Sequence, residues 1–299
     1  MKKQAKVKHN QDRVFYIICY TIAIILTLIV LYPVIYILSS SISYADRVVQ
    51  GDVWLWPVDI DFSAMKIVFN YDKLWIGYKN TIFYTVVGTL VNLVMTLICA
   101  YPLARKNLRG RGPIMFFFSF TMLFGGGMIP HYILVRSLGL LNTRLALIIP
   151  GAMSVYNMIV ARTFIQNNVP DEMLEAAKID GCNDFQFFFR MVLPLVKPII
   201  AVLALWYGVS HWNAYFNAFL YLKDNDKYPL QIFLREILVM SKGIGDTEEI
   251  IDDTAKHSQY IYVTMKYCII VVSSAPLMCV YPFVQKHFQK GVLVGSVKG

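Results

Sequence analysis

Six long apolar runs limit what this chain can fold into more than any other feature of its sequence. A helix needs roughly 20 apolar residues to cross the hydrocarbon core of a bilayer. Charged residues make up only 16% of the chain, whereas soluble proteins carry about 25%. The sequence therefore predicts an all-α membrane protein with six transmembrane helices. The predicted spans are Val14–Leu38, Asn80–Ala104, Pro113–Val135, Leu145–Phe164, Leu195–Leu220 and Tyr260–Val284.

The first apolar run also has the basic flank of a signal peptide. It is too long for that role, and the small residues SSSIS at its end are weak evidence for cleavage. We therefore interpret this run as a retained span.

Basic residues cluster beside the spans and predict their orientation. Because positive charges favour the cytoplasmic side, both termini are expected there. The predicted segments are a tail at 1–13, a six-span transmembrane domain at 14–286 and a tail at 287–299. The net charge of +9 is thus explained by insertion rather than by nucleic acid. The clusters are Lys2, Lys3, Lys6, Lys8 and Arg13; Arg105, Lys106, Arg109 and Arg111; and Lys286, Lys290 and Lys298.

The loop between predicted spans four and five, residues 166–194, is acidic on a side where the other loops are basic. Asn168 can cap a short helix, Pro170 suits its first turn, and Gly181 supplies a left-handed stop. Asn183 can cap a second short helix that ends near Pro194. A two-turn helix is marginal alone, so this loop is expected to bind a partner.

The same loop carries a recognisable motif. Glu175-Ala176-Ala177, three residues, Gly181, nine residues, then Met191-x-Leu193-Pro194 resembles the EAA loop of ABC importer permeases, E-A-A-x3-G-x9-I-x-L-P. Met191 replaces the usual isoleucine and Cys182 the common alanine, which are mild changes in volume. The resemblance extends over nearly the whole chain. It is nearest to the maltose-type carbohydrate-uptake permeases, in the subgroup associated with polysaccharide and lipoprotein clusters.

This resemblance implies a type I importer permease fold with a permease domain at 14–286, a bacterial plasma membrane as its location, and a set of partners. Those partners are a second, non-identical permease, two cytoplasmic ATPases, an extracellular lipoprotein that binds the solute, an oligosaccharide and membrane lipid. The EAA loop would be a coupling helix seated in a cleft of an ATPase. The implied coupling residues are Glu175, Ala176, Ala177, Asp180, Gly181, Leu193 and Pro194.

The chain lacks the motifs that would make it an enzyme. It contains no G-x-x-x-x-G-K-[ST] sequence to hold ATP phosphates, so ATP and Mg are expected on the partner ATPases and no cofactor on this chain. None of its five histidines has a second ligand at metal spacing. The triple glycine at 125–127 precedes Met-Ile-Pro and is interpreted as a bend in span three.

Polar side chains inside predicted span five are candidates for the solute path, because such groups are costly in a membrane and often functional. Amides can hydrogen-bond sugar hydroxyls, and aromatic rings can cover apolar sugar faces. Hydrogen bonding between packed helices is an equally open interpretation. The first-choice residues are Trp212, Asn213, Phe216 and Asn217, and the second-choice residues are Tyr156 and Asn157.

The leading hypothesis is thus an oligosaccharide importer permease without enzymatic activity. A type I permease for another solute, such as a peptide or lipid-linked nutrient, stays open. A membrane-embedded transferase would need paired carboxylates or a His-Asp pair at a membrane face, but the acids cluster in the EAA loop and the outer loops. A self-contained channel would give the EAA loop no purpose.

Overall fold

The computed structural model describes residues 9–245 and 253–296, and these residues are mostly helical. No strand forms within them; Ser43 and Ile60 make one isolated antiparallel bridge. The α-helices are α1 (His9–Ser41), α2 (Ala45–Gln50), α3 (Ser63–Phe69), α4 (Asp72–Ala104), α5 (Arg111–Leu123), α6 (Met128–Ser137), α7 (Val155–Asn168), α8 (Asp171–Ile179), α9 (Asp184–Phe187), α10 (Leu193–Leu195), α11 (Lys197–Asn213), α12 (Phe216–Tyr221), α13 (Leu230–Gly245) and α14 (Asp253–Ser296).

The chain divides into two compact units. The first combines Met1–Tyr71 with Glu236–Ser273, and the second combines Asp72–Arg235 with Ser274–Gly299. In the first unit, α1 exposes its apolar side chains along most of its length, as a lipid-facing helix would. Its C-terminal end is buried, where Cys268 Sγ lies 3.2 Å from the carbonyl oxygen of Ser41. Arg47 pairs with Asp59 (2.9 Å) and Asp52 (3.2 Å) in the segment that follows.

Helix α4 is the centre of the second unit and packs against α7 and α11. One face of α4 consists of small and polar residues at four-residue spacing, which places them in line on a helix. These residues are buried and are Gly88, Asn92, Thr96, Ala100 and Ala104. Because they are small, the neighbouring helices can approach the α4 backbone closely.

Two glycines of α4 show how close this approach is. A Cβ atom on Gly88 would lie 2.5 Å from Nε2 of His211 on α11, and one on Gly77 would lie 2.9 Å from Cδ2 of Phe233 on α13. Neither distance is compatible with a side chain at these positions. The glycines therefore set the register of α4 against its neighbours.

The span prediction agrees with the structure in part. Within the described residues, three helices are long and apolar enough to cross a membrane: Arg13–Ser41, Asp72–Ala104 and Tyr260–Val280. Two bent helix pairs raise the number to five if each pair is one span. The count of six therefore stays a prediction, as do the boundaries of the tails and the permease domain.

The other three predicted spans are not single straight helices, and local chemistry accounts for most of the breaks. Predicted span three bends by 113° between Leu123 and Met128, where three glycines remove side-chain restraint, as the sequence indicates. A 78° bend precedes Lys197, beside Pro194 and Pro198, because proline lacks the N–H that a helix needs. Predicted span five also ends early, since α11 stops at Asn213 and α12 begins at Phe216.

Predicted span four, Leu145–Phe164, is wrong as one continuous helix. A short 3-10 helix occupies Arg144–Leu147, an irregular stretch follows, and α7 begins only at Val155. The apolar composition of this segment hides the interruption, because Gly151 and Pro150 disfavour helix without making the segment polar.

Candidate functional site

Residues 166–194, which we call the EAA segment, contain the short helix α8, and the ends of this helix are well defined. Asp171 and Glu172 lie in the first turn of α8 and Lys178 in the last, as the helix dipole favours. Gly181 has a φ of +76°, so the left-handed stop expected from the sequence is confirmed. Its N–H donates to Lys178 O (3.0 Å), while Cys182 N donates to Ala177 O (2.9 Å). These two bonds form a Schellman cap.

The second part of the EAA segment is also fixed by local hydrogen bonds. Asn183 and Gln186 form a capping box at the start of α9, which confirms the predicted cap. The other predicted cap is wrong: Asn168 belongs to α7 and donates to Phe164 O (2.8 Å), and Pro170 precedes α8 instead. A π-helical turn at Phe188–Val192 then leads into α10, which contains Leu193 and Pro194.

Helix α8 has one packed face and one open face. Leu174 and Ala177 are buried among residues of α4, α7 and α9, with Ala177 only 2% exposed. Glu175, Ala176 and Asp180 are exposed on the other side. Ile179 is 87% exposed at the end of this open face, and Phe185, just beyond Gly181, is 79% exposed. The open face therefore presents both acidic and apolar groups.

Five polar side chains tie the EAA segment and α7 to the end of α4. Asp171 pairs with Lys106 (3.2 Å) and, at 3.7 Å, with Arg105. From α7, Arg162 Nε donates to Leu103 O (2.9 Å) and Gln166 Nε2 donates to Ala104 O (3.2 Å). The last carbonyl groups of a helix have no hydrogen-bond partner within it. The bonds from Arg162 and Gln166 supply partners to two such groups of α4 and fix α7 to its end. The ion pairs of Asp171 fix α8 to the residues that follow α4.

A second polar region lies where α11 and α12 are interrupted. A cavity of about 270 Å³ opens there beside α4 and the irregular stretch before α7. Non-helical backbone at membrane depth is tolerated where it lines a cavity or is covered by protein, so the break and the cavity belong together. The lining includes Tyr84, Asn92, Gly151, Ser154, Tyr207, Ser210, His211, Ala214 and Asn217.

Hydrogen bonds between α4 and α11 cross one wall of this cavity. Asn92 Nδ2 donates to Gly151 O (2.5 Å), which leaves Asn92 Oδ1 to accept from His211 Nε2 at 2.6 Å. Nε2 of His211 therefore carries a proton. One turn further along, the hydroxyls of Thr96 and Tyr207 lie 2.7 Å apart, and Ser154 N donates to the same Tyr207 oxygen (3.1 Å).

The first-choice path residues are divided between different surroundings. Trp212 is only 6% exposed and lies against Tyr78 (6.3 Å between ring centroids) in an apolar groove of about 690 Å³. Asn217 lines the polar cavity. Asn213 and Phe216 are exposed, and the Asn213 amide donates to Val209 O (3.0 Å). The structure therefore brings Asn213, Phe216 and Asn217 to the break and turns Trp212 away into the groove.

The second-choice residues lie at the start of α7. Tyr156 is exposed and packs near Trp206 (6.0 Å between ring centroids), whereas Asn157 is buried and its backbone N–H donates to the Ser154 side chain. Sequence reasoning missed two residues of α4: Asn92, which lines the cavity, and Thr96, which contacts the cavity residue Tyr207. Their four-residue spacing from Gly88 was the signal that could have identified them.

The loop between α12 and α13 is held against α4 and residue 142. Asn142, at a left-handed φ of 58°, donates to Asp224 Oδ2 (2.9 Å) and accepts from the N–H groups of Lys223 and Asp224. Lys227 Nζ lies 2.7 Å from Asp224 Oδ2. The hydrogen bonds from Lys227 and Asn142 hold the pKa of Asp224 below its ordinary value. The loop therefore forms a fixed cover next to the cavity.

Comparisons with known proteins identify this combination of features. The model of the family described as binding-protein-dependent transport system inner membrane component matches residues 8–294. The chain belongs to this family. It is a permease subunit of an ABC importer, a multi-pass component of the inner membrane that transports rather than catalyses. Such a permease works with a partner permease, an ATPase and a solute-binding protein.

Individual relatives cover the whole length of the permease. The polygalacturonan/rhamnogalacturonan transport system permease protein YtcP of Bacillus subtilis (strain 168) is 42% identical over 290 residues, 97% of this chain and 100% of the relative. Protein LplC of the same organism is 42% identical over 271 residues, 91% of this chain and 90% of LplC. A crystal structure of a bacterial ABC transporter involved in import of the acidic polysaccharide alginate is 37% identical, with a TM-score of 0.83, covering 96% of this chain and 100% of that one.

Proposed function

We propose that this permease forms half of the translocation path for an oligosaccharide. A solute-binding lipoprotein outside the cell delivers the sugar, and a second, non-identical permease supplies the other half of the path. Two cytoplasmic ATPase subunits bind ATP and Mg and drive the cycle, and this chain holds no cofactor. Both termini lie in the cytoplasm of a bacterium. Relatives named for polygalacturonan, rhamnogalacturonan and alginate support the choice of a carbohydrate.

The observation that carries the coupling role is the two-faced α8. Its packed face, with Leu174 and Ala177, joins it to the core, so a push on α8 is passed to α4 and α7 rather than absorbed. Its open face offers Glu175, Ala176 and Ile179 to a cleft on an ATPase. Ala177 thus acts by packing α8 against this chain, while Gly181, Leu193 and Pro194 shape the turns that follow.

The solute path is assigned to the break between α11 and α12. A path formed between two permeases must use a surface that is open on each of them, and Asn213, Phe216 and Asn217 are exposed there. Amides can bind sugar hydroxyls, and an aromatic ring can cover the apolar face of a pyranose. Trp212, by contrast, supports α11 from the apolar groove, and Tyr156 and Asn157 are the second-choice lining.

Reconstitution of the complete importer tests this proposal. The chain is co-purified with its partners from a membrane extract, their stoichiometry is measured by native mass spectrometry, and the complex is placed in liposomes with its binding protein. We expect one copy each of two permeases, two ATPase copies, and ATP-dependent uptake of oligosaccharides. An active homodimer of this chain, or uptake of peptides but no sugar, would overturn it.

Asn213→Ala tests the path separately. We expect lower uptake with normal assembly and normal basal ATP hydrolysis, because an exposed amide contacts the solute rather than the fold. Failure of this variant to assemble would instead favour a packing role for Asn213.

A further inference from the structure

Arg235 of α13 is held over the aromatic face of α12. Its guanidinium carbon lies 4.6 Å from the ring centroid of Phe219 and 5.8 Å from that of Tyr215. Tyr215 and Phe219 are four residues apart, so both rings lie on one side of this short helix. Two rings therefore hold one cation at a defined place beside the break between α11 and α12.

The guanidinium has no acidic partner in the part of the chain that the structure describes. No carboxylate in residues 13–239 or 260–280 forms an ion pair with it, and the Arg235 side chain is exposed. A guanidinium stacked on a ring keeps its N–H donors in its own plane, where they can bind both oxygens of a carboxylate. The rings thus orient Arg235 without using its donors.

The surroundings favour a sugar ligand for these donors. Tyr215, Phe216 and Phe219 are 43%, 49% and 57% exposed, and the same segment carries the exposed amides of Asn213 and Asn217. Aromatic rings cover the C–H face of a pyranose, while amides bind its hydroxyls. A cation among them adds selectivity for a sugar that carries a negative charge.

We propose that Arg235, stacked on Phe219 and Tyr215, binds the carboxylate of a uronic acid unit in the transported oligosaccharide. This inference rests on the proposed function and adds a residue that determines specificity. The planar guanidinium of Arg235 donates hydrogen bonds to both carboxylate oxygens. Phe216 and Tyr215 contact the ring of the same or the next sugar. No bond is formed or broken at this site.

The test compares two solutes that differ only in charge. Trigalacturonic acid and its carboxyl-reduced counterpart, galactotriose, are offered to the reconstituted importer with its binding protein, and uptake is measured as a function of solute concentration. The variants are Arg235→Gln, which removes the charge, and Arg235→Lys, which keeps the charge but cannot donate to both carboxylate oxygens from a planar guanidinium. Lys223→Gln removes one positive charge from the loop between α12 and α13 without touching the aromatic face and is the matched control.

We expect Arg235→Gln to reduce uptake of the acid about tenfold or more, as loss of a charged hydrogen bond predicts, and to leave uptake of galactotriose unchanged. Arg235→Lys should fall between the wild type and Arg235→Gln, and Lys223→Gln should match the wild type. Size-exclusion chromatography and basal ATP hydrolysis verify that each complex assembles.

Two results would overturn the inference while the proposed function stands. One is an unchanged ratio of acid to neutral uptake in Arg235→Gln. The other is an equal loss for both sugars that follows the anionic lipid content of the liposomes, which would assign Arg235 to a lipid headgroup. A wild-type importer that takes up neither these nor other sugars would instead refute the proposed function, and the inference with it.

Discussion

The EAA segment and the α11–α12 region both carry polar residues that stand out in the sequence, yet they are built differently. Short-range hydrogen bonds define the EAA segment: the Schellman cap at Gly181 and the capping box at Asn183 each join residues within five positions. The α11–α12 region depends on partners far along the chain. His211 and Asn92 are 119 residues apart, and Tyr207 and Thr96 are 111 apart.

Because of this difference, we expect mutations in the two regions to have different effects. A surface built locally can lose its exposed side chains without losing its shape, so changes there should affect coupling before stability. A cavity wall built from distant helices needs each helix at its correct spacing, so small changes in volume there should affect stability first.

Ala177→Asp and Ala176→Asp place the same charge on opposite faces of α8. Ala177 is buried, and a carboxylate there has no partner, so we expect a loss of about 3 kcal/mol or more in the free energy of unfolding. Ala176 is exposed, so its variant should stay within about 0.5 kcal/mol of the wild type. Thermal unfolding in detergent measures both. Equal losses in the two variants would mean that α8 has no packed face.

Gly88→Ala tests the spacing of α4 and α11. The new methyl group would meet the His211 ring, so we expect a loss of about 1–3 kcal/mol despite the higher helix propensity of alanine. Gly112→Ala is the control, because a Cβ there meets nothing within 4 Å. The double variant Gly88→Ala/His211→Ala lacks the ring that the new methyl group meets, so part of the decrease in thermal midpoint should be reversed. A Gly88→Ala variant as stable as Gly112→Ala would refute the close approach.

Gly181→Ala tests the local construction of the EAA segment. Nothing lies within 4 Å of the added Cβ, so only the positive φ opposes it, at a cost of roughly 1 kcal/mol. Gly181→Asn should cost less, because asparagine tolerates the left-handed region. Uptake should fall with the same ranking, while membrane insertion is normal. Identical behaviour of alanine and asparagine here would argue against backbone strain as the cause.

The smallest effect is expected at Asp224, in the loop beside the cavity. The folded protein holds its pKa below the ordinary value, so its stabilising contribution is fully present above the unfolded pKa of about 3.9. That contribution is lost as the pH falls through the lower, folded pKa. The thermal midpoint of the wild type should therefore exceed that of Asp224→Asn at pH 7, with a gap that closes in acid. A gap of the same size at pH 7 and in acid would contradict this origin of the stabilisation.

The same contrast explains how much could be predicted from the sequence. Hydropathy identifies α1, α4 and the central part of α14, because a long apolar helix needs only its own composition. Capping residues identify the end of α8 at Gly181 and the start of α9, whereas the cap predicted at Asn168 for the start of α8 is wrong. The motif 175–194 identifies the family. These signals act over a few residues or over one uninterrupted helix.

The orientation of individual side chains was harder to predict. Helical spacing places Ala177 on one face with Met173 and Leu174, but the sequence does not indicate that this face packs on the chain's own core rather than on a partner. The sequence does not distinguish the surroundings of Trp212 from those of Asn213, because the helix break at Ala214 contains neither glycine nor proline. The pairing of His211 with Asn92 depends on the approach of two distant helices, which a single sequence does not encode in any local pattern.

The most direct test of the account is the response of the complete importer to Ile179→Asp. Ile179 is exposed on the open face of α8, so the variant should fold, assemble and hydrolyse ATP at the basal rate. Stimulation of hydrolysis by the sugar-loaded binding protein, and sugar uptake into liposomes, should both be lost. Asn107→Asp adds the same charge nearby but outside α8 and should retain both. Wild-type stimulation and uptake in Ile179→Asp would contradict the claim that the open face of α8 transmits the ATPase cycle to the permease.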